Sequence, residues 1–384
     1  MRHEQAAPPL REFLSYFLKL GTLGFGGPIA LAGHMQKDLV EERKWVSSQD
    51  YKEGLGFSQL SPGPLAAQLA MYLGWVRAGA LGATLTGAAF ILPSFLMAAG
   101  LAAIYVHYGE LRWIQGSFYG IGAAVIAIIA RSAYKLARTT IGNDALLWVA
   151  FAVLAITTAW REAEIVWLFL LCGVITMLVK APPQFGTAST NALAVVKAGT
   201  FVAGAQAAAS AGTIAGLFVF FLKAGAFVFG SGLAIVPFLY GGVVKEFHWL
   251  TEKQFVDAVA VAMITPGPVV ITAAFIGYLV GGFIGAAVAA MAVFAPPYII
   301  VLAGAPYYRR FAKNARVKAF VQGVTAAAVG AIAGAAFILG RRSLVDLPTV
   351  LIAVAAFAIL QFRKVPEPLV IFTAGVLGLL LFRG

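Results

Sequence analysis

Apolar stretches recur along this chain from Phe13 to Phe382, separated by short polar clusters, and no cluster is long enough to build a water-facing domain. Only the hydrocarbon of a bilayer can solvate all of those stretches at once. The composition agrees, with 61% hydrophobic and 11% charged residues in 384, where soluble domains carry about a quarter charged. The expected fold class is an all-α polytopic membrane protein, because helices satisfy their own backbone groups in lipid.

Shifted by 204 positions, the chain matches itself. Phe17-Leu18-Lys19 with Gly21 returns as Phe221-Leu222-Lys223 with Gly225, Glu42 falls on Glu246, Trp45 on Trp249, and Glu53 on Asp257. Ser61-Pro62-Gly63-Pro64 falls on Thr265-Pro266-Gly267-Pro268, Phe90 and Pro93 fall on Phe294 and Pro297, and a slip of three then pairs Gln115-Gly116 with Gln322-Gly323. Chance similarity between apolar segments would not hold one register across Lys, Trp, acid and Pro-Gly-Pro positions. The chain divides into a cytoplasmic tail (1–12), a first repeat (13–180), a linker with an extra span at Ala198 to Ala215 (181–215) and a second repeat (216–384).

Each half opens with a glycine-broken segment, has a second break at Pro-Gly-Pro, and continues with two long helices and two shorter apolar segments. The loop from Tyr307 to Lys318 carries Arg309, Arg310, Lys313, Arg316 and Lys318, whereas its counterpart from Tyr105 to Arg112 carries one Arg balanced by Glu110. Equivalent loops so different in charge belong on opposite faces by the positive-inside rule. The expectation is two homologous halves forming an inverted repeat with broken or re-entrant helices. Arg131, Lys135, Arg138 and Lys180 then mark cytoplasmic helix ends, and Arg341 and Arg342 fall outside.

Two prolines flanking a glycine cannot continue a helix, and in a membrane such a break is tolerated only when buried or lining a wet cavity. Ser61 and Thr265 precede the breaks and are N-cap residue types, so half-helices starting there would aim free N–H groups and a positive dipole end at an anion. The alternative is a structural kink with each hydroxyl bonded to the preceding turn. Gly26, Gly27, Gly230, Ser231, Gly63 and Gly267 would let substrate approach backbone. Lys19 and Lys223, inside apolar sequence, are candidates for substrate charge or for snorkelling to the interface. Glu53 and Asp257, eight residues before the Ser or Thr, are candidate proton carriers.

The net charge of +12 reads as topology rather than nucleic-acid binding, because the basic residues sit mostly at the ends of apolar stretches. Met1 to Leu10 has no apolar run leading to a cleavage site. A single Cys172 and four scattered histidines argue against a metal carrier, and neither a phosphate-binding Gly-rich loop nor a hydrolase motif is present. No cofactor is expected, and the partners are an oxyanion and the lipid bilayer, with a homodimer compatible.

Gly24-Phe25-Gly26-Gly27-Pro28, Leu39 to Trp45, Ser58 to Pro64, Phe229 to Pro237, Ala262 to Pro268 and Ala305 to Phe311 resemble the chromate ion transporter family, long-chain type. The resemblance spans nearly the whole chain except linker and tail. It implies a non-enzymatic, multi-pass protein of the bacterial inner membrane, with halves of opposite orientation, that exports chromate and confers resistance. Ser231 stands where the first half has its second glycine. Potential-driven export with proton coupling allowed is the expected mode; a sulfate carrier or channel is the nearest alternative, and an enzyme acting on lipid or isoprenoid phosphate lacks its nucleophile.

Overall fold

The computed structural model describes residues 8–25, 27–162, 165–182, 213–228, 232–308, 313–363 and 365–382, which are helical with no strand among them. The first half comprises α1 (Leu10–Leu23), α2 (Gly27–Met35), α3 (Ser48–Leu60), α4 (Leu65–Tyr108), α5 (Arg112–Thr140), α6 (Ala145–Arg161) and α7 (Val166–Lys180). The second repeats the order as α8 (Thr213–Phe227), α9 (Ile235–Leu239), α10 (Glu252–Ile264), α11 (Thr272–Gly304), α12 (Ala315–Ser343), α13 (Leu347–Phe362) and α14 (Glu367–Leu381). Among the described residues, four stretches are long and apolar enough to cross a membrane: Leu65–Tyr108, Arg112–Thr140, Val269–Tyr307 and Ala315–Ser343.

The duplication extends to backbone detail. α2 and α9 both run on as π-helices, Gln36–Glu42 and Tyr240–Glu246. Lys44 and His248, equivalent at the 204 offset, are both left-handed, with φ of 54° and 51°. Ser47 and Thr251 then cap α3 and α10 by accepting from a backbone N–H of the first turn.

Beyond the Pro-Gly-Pro breaks the offset shortens to 203, because Ala78-Gly79 and Gly281-Gly282 carry the same non-helical kink. The second half starts this stretch with a 3₁₀ turn, Val269–Ile271, where the first is α-helical from Leu65. Three 3₁₀ residues at ~2.0 Å rise cover the distance of four α residues at ~1.5 Å. Three expected pairings therefore move. Gly21 abuts the Phe90 carbonyl as Gly225 abuts that of Val293, so Phe90 matches Val293 rather than Phe294, and Pro93 matches Pro296. Gly323, packed on the Cys172 carbonyl of α7, matches Gly120, packed on the Ala374 carbonyl of α14, rather than Gly116.

Neither broken segment crosses the protein in the first half. α1 and α2 fold back on each other, with Tyr16 donating to Asp38 at 3.0 Å and the Phe13 and Trp45 rings 6.5 Å apart. α3 and residues 65–77 of α4 fold back around Pro62-Gly63-Pro64, pairing the Phe57 and Tyr72 rings at 5.5 Å. α3 has 13 residues, a length of ~20 Å that reaches partway through ~30 Å of hydrocarbon. At Gly79, with φ of 59°, the chain reverses again and residues 80–108 make the first full crossing. These are the re-entrant helices expected.

The halves are inverted. Thr84 meets Tyr298 at 2.6 Å and Phe95 meets Phe283 at 5.8 Å, both pairs joining the parts of the two helices that follow the glycine kinks. As numbers rise on α4 they fall on α11, so equivalent helices run antiparallel and their two-fold axis lies perpendicular to them, in the membrane plane. The closing hairpins are exchanged between halves: α6 and α7 pack on α12, while α13 and α14 pack on α5.

Ion pairs tie the exchange at both faces. On one, Lys180 bridges to Asp144 and to Gln322 at 3.1 Å. On the other, Glu162 accepts from Arg342 at 2.6 Å and from Lys245 at 2.7 Å, and Arg342 also reaches Glu252. The hydrogen bond from Lys245, then those and the charge of Arg342, hold Glu162 below its ordinary carboxylate value. This answers how Arg342 sits opposite the basic face: two carboxylates neutralise it. Ile214 of α8 packs at the Gly281 kink, on the Arg342 face, opposite Lys180. The residues between, including most of the expected extra span at Ala198 to Ala215, lie outside the described residues.

Candidate functional site

The four broken segments meet at the centre. Gly63 N–H donates to the Val228 carbonyl at 2.5 Å, and Gly267 N–H to the Gly24 carbonyl at 3.0 Å. Equivalent bonds between equivalent residues place the pseudo-two-fold axis here. Gly63 and Gly267 have φ of 139° and 96°, conformations that L side chains avoid. A Cβ at Gly267 would strike Ser94 Oγ, and one at Gly63 would strike Pro297 and Gln68.

These contacts revise the sequence expectations. The Gly63 and Gly267 N–H groups are spent on the fold. Ser61 and Thr265 are C-caps of α3 and α10 rather than N-caps, and their hydroxyls donate back to the Phe57 and Ala262 carbonyls at 2.8 and 3.1 Å. The N-terminus of α2, at Gly27-Pro28-Ile29, opens into a cavity.

That cavity lies between the α1–α2 tip, the end of α10 and the C-terminal part of α5. Its polar wall includes Arg131, Lys135, Thr139, Thr265 and Glu367 together with the backbone at Gly27 and Gly267. Arg131 and Lys135 are one helical turn apart on α5 and point the same way. Arg131 Nη1 lies 3.7 Å from Glu367 Oε1. Two cations and a half-helix N-terminus are groups able to hold an anion. A small apolar gap lined by Pro28, Pro64, Gly267 and Pro268 lies at the tips. A second cavity, bearing Tyr119, Lys253, Asp257 and Arg342, opens at the other end of α5. From Gln115 to Lys135 is 20 residues, ~30 Å of helix, the depth of the hydrocarbon.

Lys19 and Lys223 do not line the first cavity. Phe13, Phe17 and Gly21 face the protein, and two residues from Phe17 turns the helix by ~200°, which leaves Lys19 exposed on the opposite flank. Lys223 has the same relation to buried Phe221 and is half-buried. Arg131 and Lys135, read from sequence as topology markers, line that cavity instead. Their signal was a lysine four residues after an arginine on an otherwise apolar helix, but a helix end explains that pattern equally well.

The proton candidates separate. Asp257 is buried and accepts from Tyr105 at 2.8 Å. Glu53 is half-buried and accepts from Gln49 at 2.7 Å, within electrostatic reach of Tyr308, the counterpart of Tyr105. Gly26, Gly230 and Ser231 lie outside the described residues.

An inverted repeat of helices whose broken segments converge at the centre is the architecture of a membrane transporter. The chain belongs to the chromate transporter family, which matches residues 11–177 and 215–379, one match per half. It is 54% identical over 382 residues to the chromate transport protein of Cupriavidus metallidurans, covering 99% of this chain and 95% of that protein. It is 53% identical to a probable chromate transport protein of Synechococcus elongatus, covering 98% and 97%, and 32% identical to the chromate transport protein of Pseudomonas aeruginosa, covering 99% and 94%. No solved structure matches.

Proposed function

We propose that the protein exports chromate from the cell, binding the tetrahedral dianion between the N-terminus of α2 and the Arg131–Lys135 pair. The observation that carries this reading is the basic cavity at the meeting point of the broken segments. The face bearing Arg131, Lys135, Lys180 and Arg316 is the cytoplasmic one by its excess of positive charge. Residues 13–180 and 216–384 act as the two transporter repeats, and Asp257 and Glu53 are the residues available to carry protons.

The driving force follows from charge. One charge crossing ~100 mV gains about 2.3 kcal/mol, so a dianion leaving an inside-negative cell gains about 4.6 kcal/mol. At about 1.4 kcal/mol per decade this supports more than three decades of gradient. Potential alone suffices, so proton coupling is allowed but not required.

The test is flux of labelled chromate in proteoliposomes of known orientation, with potential imposed and sulfate as competitor. Chromate accumulation on the external side that collapses with the potential is expected, and Arg131→Gln should lower chromate affinity at least tenfold. Wild-type affinity in Arg131→Gln and Lys135→Gln would remove the cavity from the substrate path; sulfate flux equal to that of chromate would make the protein a general oxyanion carrier.

A further inference from the structure

Glu367 opens α14, the helix that the second half lends to α5, and its carboxylate lines the cavity with Arg131 and Lys135. At 3.7 Å the Arg131–Glu367 pair is an ion pair, longer than the ~3.2 Å limit of a good hydrogen bond. Arg131 Nε is buried with no hydrogen-bond partner among the described residues. The arginine is thus held by one loose partner and has donor capacity to spare.

The charge count is unbalanced for a dianion. On α5, Arg131 and Lys135 face Glu367; the described wall from the α1–α2 tip, α10 and Val269 carries no titratable group, and Arg363 at the end of α13 is exposed and off the wall. With Glu367 ionised the cavity holds one net positive charge, and with Glu367 neutral it holds two. A buried dianion needs the second.

We propose that Glu367 is a tethered competitor of the substrate: ionised, it occupies Arg131 and Lys135 in the empty cavity, and it yields them by taking up a proton when a dianion binds. This rests on the cavity being the oxyanion site. Each dianion is then bound together with one proton from solvent, and re-ionisation of Glu367 recaptures both cations and releases the dianion. Affinity for a dianion rises as pH falls through the titration of Glu367, because the neutral acid no longer competes. A singly charged oxyanion binds without the proton.

The experiment uses the purified full-length protein in detergent, titrated with chromate at alkaline pH, where chromate is a dianion, in weakly buffered solution containing a pH indicator. Wild type should take up about one proton per chromate bound and lose affinity steadily as pH rises. Glu367→Gln should bind chromate severalfold more tightly at alkaline pH, with no proton uptake and a flat pH dependence. Wild-type affinity and undiminished proton uptake in Glu367→Gln would overturn the proposal, as would binding by wild type with no proton taken up, a measurement that stands even if the variant fails to fold. Arg131→Gln separates the two levels: unchanged chromate binding in that variant defeats the site itself, whereas lost binding beside an unaltered Glu367→Gln defeats only the competitor role.

Discussion

Gly267 donates its backbone N–H to the carbonyl of Gly24, 3.0 Å away in the other half, and Gly63 does the same to Val228. A membrane-buried chain break exposes donors that lipid cannot satisfy. Here each half satisfies the break of the other, so the glycines hold the two halves together at the centre.

Replacing Gly267 with Ala should therefore act through stability first. The residue has φ of 96°, and its Cβ would meet Ser94 Oγ. The strain is roughly 1–3 kcal/mol before the steric contact is counted. A lowered unfolding temperature in detergent, accompanied by loss of transport, is expected for Gly267→Ala and more severely for Gly267→Leu. Full stability with transport abolished would instead mean that the glycine serves the substrate directly.

Lys19→Met and Lys223→Met should bind chromate with affinity within about twofold of wild type, since both lysines sit on the flank of their helices away from the buried aromatic face. Expression or insertion can still fall if the lysines anchor the interface. Equilibrium binding on purified protein distinguishes the two effects, and a tenfold loss of affinity in either variant would return that lysine to the site.

The ionic cluster joining α6 to α12 predicts a pH dependence of stability. Glu162 is held below its ordinary carboxylate value in the fold by Lys245 and Arg342, and Asp144 likewise by Lys180. A carboxylate with a depressed folded-state value contributes stability that is fully present above its unfolded value and is lost as pH falls through the folded one. Unfolding temperature should thus decline below the ordinary carboxylate range. Glu162→Gln should flatten part of that decline and be less stable at neutral pH, because Arg342 and Lys245 lose a shared partner. Thermal unfolding at a series of pH values checks both.

Asp257 is buried and bonded to the Tyr105 hydroxyl across the two halves. If it moves the coupled proton, Asp257→Asn should leave potential-driven chromate flux in place while removing its response to a pH gradient at fixed potential. Glu53→Gln, altering the half-buried counterpart, should change that response less. Proteoliposome flux under separately clamped pH gradient and potential gives the answer, and an unchanged response in Asp257→Asn would dismiss the residue from coupling.

Membrane residence, the duplication, the opposite orientation of the halves and the breaks at the two Pro-Gly-Pro sites were legible in the sequence, because each rests on local chemistry; the reversals at Gly79 and Gly282 were not read from it. Apolar run length reports hydrocarbon, Pro-Gly-Pro cannot remain helical, and loop charge reports sidedness. The one-residue change of register was not legible, since it depends on a 3₁₀ turn at Val269–Ile271 whose pitch the residue types do not announce. Nor was the assignment of the charged site. Lys19 and Arg131 look alike in sequence, each a cation near the end of an apolar run, and what separates them is the face their helix turns inward. That face is set by packing: Phe13 and Phe17 against the core turn Lys19 outward. The exchange that docks α14 on α5 instead brings Glu367 to Arg131 from 236 residues away in the chain. Contacts over such separations carry no local signature, so tertiary structure alone decided which of the basic residues lines the central cavity.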